Sequence, residues 1–157
     1  MVTLVAAISK NNCIGKDNGI PWDLPEDMKR MREITRHKVL IMGRKTYESI
    51  PENRRPLPQR TSVVITRDKD YVLPEGVERY DSIKEALDAH KGEEIIGFGG
   101  ERIFAEMIEY ADLLDITHVD MDIPECHAFF PPIDKNIWKE NLREDHAGFS
   151  FVQYVRI

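Results

Sequence analysis

The sequence predicts an α/β protein built on a mostly parallel sheet, and three observations carry that expectation. Residues 2–9, 38–42, 61–66, 94–98 and 113–119 are short, largely apolar runs rich in β-branched side chains, the pattern of strands buried on both faces. Segments of helical spacing lie between them at 25–36, 44–49, 82–90 and 101–109, and alternating strand and helix is what a parallel sheet covered by helices requires. In the tail, 138–144 and 149–156 are two strand candidates separated by Asp145-His146-Ala147-Gly148, which predicts an antiparallel hairpin.

Each element has local support. The first strand is followed at 10–19 by a polar, Gly- and Asn-containing stretch, a loop long enough to suggest function. Pro25 suits the first turn of the helix that follows. Residues 51–60 form a proline-rich turn region, and 77–80 is a short strand. Ser82 with Glu85 is a capping box that starts the helix at 82–90.

The 157 residues fit one domain, 1–157, able to bury a full core, and 41% hydrophobic with 32% charged residues describes a globular chain. A net charge of −6 argues against a general binder of nucleic acid or of anionic membranes, so any anionic ligand has to meet a local basic cluster. No apolar run approaches the ~20 residues that span a bilayer. Residues 2–8 are too short for a secretory leader and lack its basic segment. Cys13 and Cys126 have no metal-type spacing, and a chain of this size folds without a disulfide; two reduced thiols in a cytoplasmic protein are expected. The five histidines form no paired-ligand pattern, so no metal is expected.

One carboxylate stands out. In Gly19-Ile20-Pro21-Trp22-Asp23-Leu24-Pro25-Glu26-Asp27-Met28, the helical stripe of Leu24, Asp27, Met31 and Ile34 is interrupted only by Asp27, while Glu26, Lys29, Arg30, Arg32 and Glu33 point elsewhere. A carboxylate among apolar groups needs a polar answer, and its pKa tends to rise, which makes Asp27 a candidate acid–base or ligand-anchoring group. Taken alone, it also serves as a helix-start residue that caps N–H groups and complements the dipole.

Ligands of such sheets lie beyond the carboxyl ends of the strands. There the chain offers Gly43-Arg44-Lys45-Thr46, with Thr46 able to cap the next helix, then Thr66-Arg67, then Gly97-Phe98-Gly99-Gly100, and last Thr117-His118. Cations, hydroxyls and bare backbone at successive junctions suggest a long phosphate-bearing ligand. Arg44 with Arg67 suits an extra phosphate monoester, and Arg54, Arg55 and Arg60 suit a second anion such as a carboxylate tail.

Assembled in order, these segments resemble the dihydrofolate reductase family over essentially the whole chain. The matching pieces are Leu4-Val5-Ala6-Ala7, Ile14-Gly15, Pro21 to Asp27, Met42 to Ile50, Pro56-Leu57-Pro58-Gln59-Arg60, Phe98-Gly99-Gly100 and Ile116-Thr117-His118. The resemblance implies an eight-stranded, mostly parallel sheet with an antiparallel C-terminal strand and about four flanking helices. It implies reduction of 7,8-dihydrofolate to 5,6,7,8-tetrahydrofolate by NADPH, with antifolates as inhibitors, in a monomer.

By the same resemblance Asp27 meets the amino and ring N–H groups of the pterin, Thr117 bridges through its hydroxyl, and Trp22 holds water beside them. Val5, Ala6, Met28, Met31 and Ile50 line the substrate slot, Leu57 packs on the benzoyl ring, and Arg60 pairs with the glutamate carboxylate. For the cofactor, Ala7 and Ile14 meet the nicotinamide, while Gly43, Arg44, Lys45 and Thr46 hold the phosphates with Thr66 and Arg67. Phe98, Gly99, Gly100, Glu101 and Arg102 lie under the diphosphate, with Ile103 and Phe104 following, and the Gly-Gly peptide is cis. The loop 9–22 acts as a lid over the nicotinamide. Phe104 stands where many members carry tyrosine, Met31 where phenylalanine or leucine is common, and Cys13 where an aliphatic residue is common. Two rival readings are a pyrimidine reductase of riboflavin synthesis, which has less use for Asp27, Thr117 and Arg60, and a non-catalytic folate or nucleotide binder.

Overall fold

Alternation along the apolar runs sends successive side chains to two layers, and this explains why the chain forms a sheet covered on both sides. The computed structural model describes residues 1–15 and 22–157. In chain order its elements are β1 (Val2–Ile8), β2 (Cys13–Gly15), α1 (Pro25–Thr35), β3 (Val39–Gly43), α2 (Arg44–Ser49), β4 (Thr61–Ile65), β5 (Glu78–Tyr80), α3 (Ile83–Ala89), β6 (Ile95–Gly99), α4 (Glu101–Met107), β7 (Leu113–Val119), β8 (Ala128–Phe129), β9 (Trp138–His146) and β10 (Phe149–Arg156), with a 3-10 turn at Glu52–Arg54.

Eight strands form one sheet in the order β5-β4-β3-β6-β1-β7-β10-β9. The pairs from β5 to β7 are parallel, and β10 runs antiparallel to both β7 and β9. This is the mostly parallel sheet with a reversed C-terminal strand and four helices that the sequence predicts. Leu4, Ile8, Val39, Ile41, Val63 and Leu114 face a layer closed by Ile83, Ala86, Ile103, Phe104 and Met107 of α3 and α4. Val5, Leu40, Met42, Val64 and Ile96 face the other way, where Met31, Ile34 and Tyr47 of α1 and α2 cover them. The chain leaves β1 through α1 for β3, but leaves β6 through α4 for β7 on the opposite side of β1. Strand order therefore reverses beside β1 and β6, where sheets of this kind form a crevice.

Local signals behave as their chemistry dictates. Ser82 caps α3, its hydroxyl accepting the Glu85 N–H at 3.2 Å. The last strands extend further than the turn signal implies: β9 runs through His146, and only Ala147 and Gly148 (φ +86°) make the turn. β9 is the sheet edge and carries Lys139, Glu140, Arg143, Glu144 and Asp145, a charged row that discourages pairing with another chain. Among the described residues, no helix is long and apolar enough to cross a membrane.

Two features depart from the sequence reading. The segment 10–19 is not all loop, because β2 lies within it and pairs antiparallel with β8. That ribbon brings Cys13 and Cys126 to a Cα–Cα distance of 5.9 Å, within bridging range, and they form a disulfide. The expectation of two reduced thiols is thereby corrected. Spacing along the chain says nothing about residues brought together by pairing of two short strands across a separation of 113.

A histidine clamp ties β5 to the end of α3. His90, the C-cap of α3, is buried, with its two ring nitrogens facing Glu93 and Glu78 (2.9 Å to the latter), and the Tyr80 hydroxyl donates to Glu78. Burial works against its protonation, but the two carboxylates outweigh that and hold its pKa above the ordinary histidine value. Because the folded pKa is raised, the stabilisation is complete below the unfolded histidine pKa and is lost as pH rises through the folded one. Denaturant midpoints should fall across that window in the native protein, and His90→Gln should flatten the slope. A native slope that His90→Gln leaves intact would assign the pH dependence elsewhere. Reduction of the disulfide should cost about 5 kcal/mol by the chain-entropy account of a loop closed across a separation of 113, read as a drop in denaturation midpoint on adding thiol, with no drop in a Cys13→Ala/Cys126→Ala variant.

Candidate active site

Two polar pairs link α1 to β7 on the face covered by α1. A residue and its third successor share a helix face, and alternate residues share a strand face, so Asp27 and Arg30 stand opposite Thr117 and Asp115. The Thr117 hydroxyl donates to Asp27 Oδ1 at 2.6 Å. Arg30 Nη1 and Nη2 donate to the two oxygens of Asp115 at 2.6 and 3.3 Å, a bidentate fork. The four side chains line a cleft with Val5, Ala6, Ala7, Met31 and Ile34.

Asp27 is half-buried, and burial is the main cause that raises its pKa above the ordinary aspartate value. The Thr117 hydroxyl and the Arg30 charge pull the other way, and Asp115 adds to the rise. The capping part of the helix-start reading fails on geometry, since Leu24 occupies the N-cap of α1, whereas Asp27 does lie in the acidic first turn that the helix dipole favours. Leu24, Met31 and Ile34 fall on the predicted stripe. Arg30 does not point elsewhere: it turns into the cleft with Asp27. Apolarity alone excludes a cation from such a stripe. The available signal was a pair of polar residues, Asp115 and Thr117, alternating within the buried strand β7.

Other predicted residues converge unevenly. Val5 belongs to the apolar cluster on this face, and Met31, Ile50, Leu57 and Phe98 pack against it, so a hydrophobic wall extends outward from Asp27. Met28, next to Asp27 on α1, is 42% exposed. Trp22 is half-buried just before α1. The rest of the predicted lid, including Gly19, Ile20 and Pro21, lies at 16–21, outside the described residues. Within 9–15, Ile14 packs against the core and Cys13 carries the disulfide. His118 points away from the cleft to Tyr154, its ring nitrogen 2.7 Å from the hydroxyl.

Arg60 is fixed by its own protein. Its Nε donates to Thr35 Oγ1 at 2.8 Å, and Nη1 and Nη2 donate to the carbonyls of Pro58 and Arg32 at 2.6 and 2.7 Å. These bonds use three of its five N–H donors. Arg32 and Arg36 lie close enough to depress its pKa, after burial, so the cationic corner comprises Arg32, Arg36 and Arg60. Arg55 instead lies over the Tyr47 ring, 5.3 Å from its centroid. Arg54 sits in the exposed 3-10 turn.

The glycines at the strand ends have separate duties. Met42 of β3 pairs with Gly99 of β6, so Gly43 and Gly100 adjoin, and the Gly99–Gly100 peptide is cis. A Cβ at Gly99 (φ +123°) would meet the Phe104 ring at 3.4 Å, and one at Gly100 would meet Thr46 Oγ1 at 3.4 Å. Thr46 therefore does not cap α2; it lies inside that helix, and Gly43 holds the cap position. Gly97 is a packing glycine, with a Cβ there falling 2.5 Å from Leu4 Cδ2. Ile103 and Phe104 are buried in the core, the latter 4.9 Å from the Phe130 ring, so only their backbone can face a ligand.

Charge and hydroxyls surround this bare backbone. Arg44 is steadied by Asp68 at 3.3 Å and by the Tyr71 ring at 4.1 Å, and Lys45 and Arg67 are exposed beside it in sequence and sheet order. Thr66 sits at the end of β4, its hydroxyl accepting the Asp68 N–H at 3.2 Å. Arg102 is exposed and pairs with Glu106, while Glu101 Oε1 accepts the Phe129 N–H of β8 at 3.2 Å. Small residues flanked by cations on two adjoining strand ends form a cradle that suits a phosphate chain.

Comparison with known proteins gives concordant results. The family model described as dihydrofolate reductase matches residues 1–156. A dihydrofolate reductase of Neisseria meningitidis serogroup A is 41% identical over 99% of this chain and 98% of its own length. One from Haloferax volcanii is 39% identical over 98% of this chain and 82% of its own. Among solved structures, dihydrofolate reductase from Enterococcus faecalis complexed with NADP(H) and RAB-propyl superposes with a TM-score of 0.87 at 32% identity, covering 99% of this chain and 96% of that one.

The different duties of the glycines can be separated by experiment. Gly97→Ala should cost about 2 kcal/mol of unfolding free energy, because Leu4 and Met107 have to shift to admit the methyl group. Gly43→Ala, where the nearest atom among the described residues is Ile103 Cγ1 at 3.5 Å, should leave stability unchanged. Equal losses in the two denaturation curves would contradict the assignment.

Proposed function

The chain belongs to the dihydrofolate reductase family, and on that basis we propose that it reduces 7,8-dihydrofolate to 5,6,7,8-tetrahydrofolate with NADPH. The observation that carries this reading is the Thr117–Asp27 pair, set in a cleft that borders an apolar wall. Among the described residues its acid is held by one hydroxyl, and its second oxygen is left for a ligand.

The residues present fit the cofactor. Bare backbone at Gly43, Gly99 and Gly100 lets a phosphate chain approach, and Arg44, Lys45 and Arg67 with the hydroxyls of Thr46 and Thr66 supply charge and hydrogen bonds around it. Arg44 and Arg67 are placed to favour the form with an extra phosphate monoester, NADPH over NADH. When bound, NADPH supplies the hydride.

The chain's own contribution is orientation and proton management. A pterin lying between β1 and α1 presents its amino group and ring N–H to the Asp27 carboxylate, which fixes the ring and makes a positive charge on it less costly. Hydride addition to the imine carbon is easier once the adjacent ring nitrogen is protonated, and an ionised Asp27 favours that protonated form. Overall, dihydrofolate, NADPH and one proton give tetrahydrofolate and NADP+. Thr117 holds Asp27 in place, with Trp22 completing the set. Val5, Ala6, Met28, Met31 and Ile50 line the slot, Leu57 packs on the benzoyl ring, and Arg60 meets the tail carboxylate. Ala7 and Ile14 lie toward the nicotinamide, with Phe98, Glu101, Arg102, Ile103 and Phe104 behind the diphosphate.

A single domain acting as a monomer in the cytoplasm is the matching cellular reading, since NADPH-dependent folate reduction belongs there; intracellular disulfides have precedent in hyperthermophiles. Diaminopyrimidine antifolates are expected to bind through Asp27.

Asp27→Asn should lower turnover at neutral pH by about 100-fold or more, with partial recovery in acid, where the substrate takes its proton from solvent. NADPH affinity should be largely kept. The assay is loss of NADPH absorbance with dihydrofolate, run in parallel with NADH. Unchanged turnover at neutral pH would remove Asp27 from the reaction, and tight binding of both ligands without turnover in the native protein would favour a non-catalytic binder.

A further inference from the structure

The cleft holds a second carboxylate. Asp115 has a side chain only 6% exposed, and Arg30 is 25% exposed; together they form the forked ion pair directly beside Asp27 and Thr117. The Arg30 guanidinium also lies over the Phe151 ring of β10, 4.7 Å from its centroid, so it is packed from the strand side as well. Phe151 pairs in register with Thr117, which puts all four polar side chains and this ring on one surface.

Stability does not account for the arrangement. Desolvating two charges costs about what their attraction returns, so a buried pair is a poor replacement for hydrocarbon packing. Two carboxylates sharing a low-dielectric cleft oppose each other's ionisation. A cation locked onto one of them removes that conflict. Of the other charged groups on α1, Glu26 faces outward to His146 of β9 at 3.8 Å. From β10 the cleft receives the neutral Phe151.

Resting on the role proposed above for Asp27, we infer that Arg30 and Asp115 are positioning residues for that acid: the fork cancels the charge of Asp115, so Asp27 can ionise and hold a cationic pterin. Asp115 alone would oppose that ionisation. Arg30 alone would favour it but would also repel the positive ring. The pair balances the two, and its net neutrality leaves Asp27 as the carboxylate whose charge the substrate meets. The directions of the separate effects agree: Arg30 lowers the proton affinity of Asp27 and Asp115 raises it.

The test is a carbon-13 carboxyl titration of Asp27, with its resonance assigned by loss in Asp27→Asn. Arg30→Gln should move the midpoint up by about one pH unit and Asp115→Asn should move it down, while Arg30→Lys restores a midpoint near native. Asp115→Asn keeps the size and one oxygen for Arg30, so it decides the matter if Arg30→Gln does not fold. Midpoints that stay put, or that move in the same direction in both variants, overturn the inference, since a purely structural role predicts no opposed shifts. The pH profile of turnover, measured on the same variants, should shift with the resonance. Opposed shifts in the resonance without shifts in the turnover profile would retain the tuning and refute the catalytic part given to Asp27.

Discussion

The site depends on one contact between a helix and a strand: the Thr117 hydroxyl donating to Asp27. A carboxylate is tolerated in that half-buried position because a donor satisfies one oxygen and a nearby cation offsets the neighbouring negative charge. The contact exists because α1 packs across the sheet with a helical repeat of Asp27 and Arg30 facing alternate residues of β7. The sheet in turn fixes β7 between β1 and β10 through registers that run the length of the strand. Ordinary packing thus holds an acid in a geometry that open solvent would scatter.

Two kinds of adjacency supply the remainder of the site. Gly43 and Gly100 come together because β3 and β6 are neighbours in the sheet although far apart in the chain. Ile14 is held near the same end by a ribbon of β2 and β8, which the Cys13–Cys126 bridge closes and which also contacts the first residue of α4 through Phe129 and Glu101. The glycine cradle therefore follows from the order of strands in the main sheet, and Ile14 from the separate ribbon; both lie where ligands of such sheets bind, beside the reversal of that order.

Much of this was legible in the sequence. Buried parallel strands announce themselves by continuous apolar runs, and Asp27 is visible because it breaks a stripe. The Ser82 cap needs only local spacing. What could not be seen depends on contacts between distant segments. Arg30 is a cation on a stripe judged by apolarity, and Asp115 sits inside a run that reads as hydrophobic; only their mutual pairing makes either acceptable there. The disulfide follows from two very short strands with no strong pattern of their own. Arg60 was expected among Arg54 and Arg55, yet Arg32 and Arg36 of the α1 region are its neighbours, because the turn at 51–60 folds back toward the helix end.

The central claim is that an ionised, Thr117-held Asp27 makes protonation of the bound pterin easier. Its most direct measurement is the pKa of the reacting ring nitrogen of nitrogen-15-labelled dihydrofolate, read by NMR in complex with the enzyme and NADP+ and compared with free dihydrofolate. The account predicts a bound value above the free one, with the difference abolished by Asp27→Asn. A bound value equal to or below the free one in the native enzyme would contradict it.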